Sequence, residues 1–126
     1  MLKTGNLKLK LETETCYTNH RLMDRIAALK ELLAANPTDA FAHYGLAMEY
    51  SKAGDIAGAL AEFTTILQHH PEYVPAYQMA GQMLMSAGRI EEARRMFEDG
   101  IAAARRCGNQ HAASEMQGML DTMPSE

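Results

Sequence analysis

The chain has no tryptophan, three phenylalanines and four prolines in 126 residues. It lacks the aromatic and β-branched richness that sheets favour, and it holds ten methionines. With its alanines and leucines, these are strong helix formers. Positive charge is also short: twelve Lys and Arg face sixteen Asp and Glu, a net charge of −4. That leaves no basic footprint for nucleic acid. No apolar run approaches the ~20 residues of a membrane span. Lys8 and Lys10 interrupt the one apolar stretch near the start, so no secretory h-region forms. Cysteine is scarce too. Cys16 and Cys107 stand apart, which suggests a reducing compartment rather than a disulfide framework. A chain of this length buries a core without metal or disulfide staples. The expectation is one cytoplasmic, all-helical domain.

What the chain does have is a repeat. When the chain is slid along itself until Ala42 falls on Ala76, Ala53 falls on Ala87, Gly54 on Gly88, Ile56 on Ile90, Ala59 on Ala93 and Phe63 on Phe97. Pro37 and Pro71 share the spacing. Small and apolar positions match while charged positions drift, as a repeated packing unit requires.

Each unit reads as a helix pair. Thr38 or Asp39 caps a first helix that runs to about Lys52. Its apolar stripe passes through Phe41, Tyr44 or Gly45, and Met48, with Leu46, Ala47 and Tyr50 beside it. Ala53-Gly54-Asp55 breaks it, and a second helix spans about 56–69 until Pro71 stops it. The next unit has helices over about 72–86 and 89–106, with Pro75 tolerated in the first turn. The resulting domain covers 21–123: a cap helix over 21–36, repeat one over 38–71, repeat two over 72–106 and a second cap helix over 109–123. Residues 1–20 carry no helical period and are expected to form a flexible tail. The clean pattern from Met23 raises the further expectation that translation begins there.

These residues resemble the tetratricopeptide repeat pattern, W-x2-L-G-x2-Y, then A-x3-F, then P, which recurs every ~34 residues. Repeat one supplies His43, Leu46, Ala47, Tyr50, Ala59, Phe63 and Pro71; repeat two supplies Tyr77, Ala80, Gly81, Leu84, Ala93 and Phe97, with Arg105 at the proline position. The resemblance implies an all-α, right-handed stack of antiparallel helix pairs, with two full repeats between capping helices. It implies a concave groove that binds a segment of a partner protein. On this chain its positions are Tyr44, Met48, Ser51, Lys52, Gln78, Gln82 and Met85. Family members that hold acidic chaperone tails carry a Lys and Asn clamp. Here Tyr44, Met48 and Met79 stand at clamp positions, so that clamp is absent.

Other chemistry finds little support. Cys107 and His111 are four apart, but Gly108-Asn109 lies between them and no further ligand follows at a useful spacing. His69 and His70 close a helix. His43 reads as a half-buried packing residue with one nitrogen satisfied. Glu91, Glu92, Glu98 and Asp99 with Arg94 and Arg95 form a solvated face, Glu91–Arg95 being a favourable pair. Ser51, Ser86, Ser114 and Ser125 lie in no nucleophile motif, and no phosphate-binding glycine loop occurs. The expectation is a non-enzyme without cofactor or metal, binding an unidentified protein or peptide as an adaptor or assembly factor. The alternatives are a self-associating module and a non-catalytic regulatory subunit.

Overall fold

The computed structural model describes residues 24–124, and these contain six helices and no strand. Helix α1 covers 24–35, α2 Ala40–Lys52, α3 Ile56–His69, α4 Val74–Ser86, α5 Ile90–Arg106 and α6 Gln110–Thr122. Helix α2 packs on α3, α4 on α5, and α5 also on α6, with a lighter seam between α3 and α4. The expected tail and the expected start at Met23 lie outside the described residues.

The turns follow from three glycines. Gly54, Gly88 and Gly108 have φ of 82°, 80° and 75°, the left-handed region that side chains avoid. After α2, the Gly54 amide donates to the Ser51 carbonyl and the Asp55 amide to the Tyr50 carbonyl. The same bonds recur after α4, from Gly88 to Met85 and Arg89 to Leu84, and after α5, from Gly108 to Arg105 and Asn109 to Ala104. This pattern satisfies the last helical carbonyls and reverses the chain. Asp55 and Asn109 then cap the following helices through the Gly58 and Ala112 amides. Asp39, rather than Thr38, caps α2 through the Phe41 amide.

Small residues set how closely the helices approach. Ala47, Ala59, Ala76, Ala80, Ala93, Ala103 and Ala104 are fully buried. Phe63 and Phe97 fill the space these alanines leave, each with no more than 1% exposure. Burying each ring contributes about 1.5–3 kcal/mol. Gly100 of α5 sits where three helices meet: a Cβ there would lie 2.6 Å from both the Tyr77 Cβ and the Met116 Sδ.

Several details depart from the sequence expectation. The core side of α2 is Ala42, His43, Leu46 and Ala47, and Phe41 is 70% exposed. Small residues let α2 approach α3, so the bulky Phe41 belongs outside that contact. Helix α4 begins at Val74 rather than Glu72, with Pro75 in its first turn. Glu91 pairs with Arg94 at 3.7 Å instead of Arg95, and Arg89 pairs with Glu92 at 2.6 Å. Both are three-residue spacings, which place side chains together on a helix as well as four-residue ones do.

His43 uses both ring nitrogens. Nε2 lies 2.8 Å from the Pro37 carbonyl oxygen and Nδ1 2.6 Å from Glu62 Oε1. One repeat later the Tyr77 hydroxyl donates to the Pro71 carbonyl at 2.8 Å. Equivalent positions in the two repeats therefore tie successive proline turns to the helices that follow them.

Candidate binding groove

Helix α2 presents four of the expected groove residues. Tyr44 is half-buried. Its ring stands edge-on to Phe63 at 6.1 Å and tilts against Tyr73 at 6.0 Å. Burial, then the neighbouring Tyr73 phenol, pushes its hydroxyl above the ordinary tyrosine value. Met48 is half-buried against the core, and Ser51 is half-exposed. Lys52 points its ammonium to within 3.9 Å of Glu49 Oε1. The same Glu49 oxygen meets Arg25 of α1 at 3.5 Å. Glu49 itself is only 8% exposed, and its Oε2 has no hydrogen-bond partner. This carboxylate draws the Lys52 charge towards α2 itself.

Helix α4 presents the other three, Gln78, Gln82 and Met85, all half-buried. Gln82 reaches across to α6, its amide nitrogen 3.7 Å from Met119 Sδ. Ser51 and Gln82 open on one cleft of about 400 Å³. Its apolar lining is Ile56, Met79, Met83 and Ala87. Ser86 adds a third polar group to Ser51 and Gln82. Tyr44, Met48, Lys52, Gln78 and Met85 do not line this cleft.

The cleft therefore holds residues that the sequence pattern does not mark as a site. Ile56 reads there as a packing residue, and Met79 only as a clamp position without its Asn. Met83 carries no signal of its own. Ser86 is legible, because it occupies the Lys52 position one repeat later. A second hollow of about 430 Å³ lies along the outer side of α3, lined by Leu60, Thr64, Gln68 and Arg89 among others. It draws mainly on one helix, whereas the first joins two repeats.

A cleft of this makeup offers hydroxyls, an amide and thioethers. It supplies weak, adaptable contacts and no nucleophile–base pair. Among the described residues no group of three or more His, Cys, Asp or Glu is placed to hold a metal ion. Among the same residues no helix is long and apolar enough to cross a membrane.

Comparison with known proteins agrees with this architecture. Two family profiles described as tetratricopeptide repeat match residues 50–115 and 21–75. A TPR repeat-containing protein of Pseudomonas aeruginosa is 30% identical over 95 residues, which span 75% of this chain and 90% of that protein. The solution structure of a tetratricopeptide repeat domain protein from Salinibacter ruber superposes with a TM-score of 0.63 at 33% identity, over 68% of this chain and 86% of that one. The TPR2B domain of yeast Sti1, solved as a pHsp70 complex, superposes with a TM-score of 0.72 over 90% of both chains. At 18% identity that likeness speaks to the fold alone. The matched segments run through both helix pairs and their glycine turns, and the chain belongs to the tetratricopeptide repeat family.

Proposed function

We propose that this chain binds a segment of a partner protein in the groove between its repeats and acts as an adaptor or assembly factor. The fold is that of a protein–protein interaction module, and members of the family are generally non-catalytic scaffolds. The observation that carries the finer reading is the convergence of Ser51 and Gln82, from successive repeats, on one cleft. A cleft built by two repeats exists only in the stacked fold, and it mixes an apolar lining with polar groups as peptide sites do.

The test is a cross-linked pull-down from native lysate with the wild type beside a Gln82→Ala, Ser86→Ala double variant. Neither residue belongs to the buried core, so the thermal midpoint should hold within a few degrees. A partner captured by the wild type and lost by the variant supports the groove. A partner list unchanged by the substitutions removes it.

One observation favours a second reading, self-association. Phe41 is 70% and Leu32 48% exposed, both near the α1 end of the stack. Sedimentation over a range of concentrations separates the two, since a dimer through that end is lost with Phe41→Ser and unaffected by the groove variant.

A further inference from the structure

The cleft is uncharged in a charged molecule. Charged residues make up 22% of the chain, yet none lines this space. The nearest cation by sequence, Lys52, is drawn towards Glu49 at 3.9 Å. Around α5, Glu92 pairs with Arg89, Glu91 with Arg94 and Arg106 with Glu72, all away from the cleft lining.

We propose that the cleft takes an uncharged, extended peptide segment with an aliphatic or methionine side chain as its anchor. This rests on the groove reading above and names the chemistry of its occupant. A charged side chain entering the cleft gives up water and meets no counter-charge, so it is selected against. An apolar side chain meets Ile56, Met79 and Met83, and flexible thioethers reshape around aliphatic groups of different outline. The polar groups suit a peptide backbone. The Gln82 amide rests on the Met119 thioether at 3.7 Å, and a thioether is a weaker acceptor than a peptide carbonyl. An incoming carbonyl displaces that contact at little loss. Ser51 and Ser86 each offer a hydroxyl that donates and accepts.

The experiment selects from a random displayed peptide library against the full chain. Enriched sequences are then synthesised with blocked ends and measured by fluorescence anisotropy. The expected core lacks Asp, Glu, Lys and Arg and carries one aliphatic or methionine anchor. Its affinity changes less than about threefold between about 50 mM and about 500 mM NaCl, because no ion pair is there to be screened. Placing Glu in the core weakens binding to the wild type about tenfold or more. Ser86→Lys, at an exposed helix end, recovers part of that loss and makes it salt-sensitive.

An enriched acidic or basic core whose binding falls with salt, and which is still lost in the Gln82→Ala, Ser86→Ala variant, overturns the neutral chemistry and leaves the groove standing. Peptides that bind that variant as well as the wild type overturn the groove reading itself. Failure to enrich any peptide, with a concentration-dependent dimer abolished by the same variant, assigns the cleft to a second copy and overturns the proposal.

Discussion

A Cβ on Gly81 of α4 would lie 2.5 Å from Cε1 of Phe97 on α5. That is far inside the separation at which carbon atoms attract. Gly81→Ala should therefore destabilise the protein by about 1–3 kcal/mol through overpacking, although alanine in a helix interior recovers up to about 1 kcal/mol of propensity. Phe97→Leu removes the offending ring edge and leaves a cavity of its own. Because the two residues share one contact, the double variant should be less destabilised than the two singles combined, by about 0.5 kcal/mol or more. Urea unfolding of the four proteins measures this. Strict additivity would separate Gly81 from Phe97.

The same contact marks how far the sequence can be read. Gly81 stands one period after Ala47, and Phe97 one period after Phe63, so the small and large positions of the helix crossing are visible from the repeat alone. The turns after α2, α4 and α5 are visible too, because glycine takes a φ near +80° without strain. The missing proline at Arg105 matches an α5 of 17 residues against 14 for α3. What the period does not give is the set of partners across elements. The sequence points to one satisfied nitrogen on His43, and the ring engages two, since Glu62 approaches from α3 by a route no local pattern encodes. The cleft is half legible for the same reason. Ser51 and Gln82 follow from groove positions of the repeat, whereas Ile56, at the start of α3, reads from its repeat position only as packing.

Helix α5 starts without a side-chain cap. Arg89 occupies the capping position, and its positive charge faces the positive end of the helix dipole. The equivalent Asp55 caps α3 at 2.9 Å. Arg89→Ser supplies an acceptor for the free amides of the first turn and gives up the surface pair with Glu92 at 2.6 Å. Caps contribute about 1 kcal/mol and exposed pairs less. The variant should be more stable by about 0.5 kcal/mol, a rise of about 2–4 °C in Tm by calorimetry. A fall would show that the Arg89–Glu92 pair outweighs the cap.

Alkaline stability should depend on two tyrosines. Burial is the first cause that raises both Tyr44 and Tyr77; Tyr73 adds to it for Tyr44 and Asp99 for Tyr77. Their folded values lie above the unfolded one, so the fold favours the neutral phenol. That stabilisation is complete below the ordinary tyrosine range and is lost as pH rises through the folded values. Tyr77→Phe also removes the hydrogen bond to the Pro71 carbonyl at 2.8 Å, which costs about 1 kcal/mol near neutrality. Urea midpoints followed into the alkaline range should therefore fall less steeply for Tyr77→Phe than for the wild type. Parallel curves would mean that Tyr77 ionises as freely in the fold as outside it.

Cys107 is exposed, yet its surroundings disfavour the thiolate. Its Sγ lies 3.1 Å from one oxygen of Glu72, and Arg106 Nε donates to the other at 2.8 Å. The hydrogen bond to Glu72 is the main cause that raises the thiol, while Arg106 opposes it by charge. Glu72 is lowered in turn, first by Arg106 and then by Cys107. The signs define a window. The Glu72 contribution is present above the ordinary carboxylate range and fades as pH falls through its lowered value. The Cys107 contribution is present below the ordinary thiol range and fades as pH rises through its raised value. Both hold near neutrality, where the thiol stays protonated and slow to alkylate. Glu72→Gln removes the carboxylate that opposes ionisation, so the pH midpoint of iodoacetamide labelling at Cys107, followed by peptide mapping, should move down. Arg106→Ala should move it up, because the compensating charge is gone and Glu72 is left to the thiol alone. A midpoint indifferent to both substitutions would mean that the thiol, carboxylate and guanidinium act independently in solution.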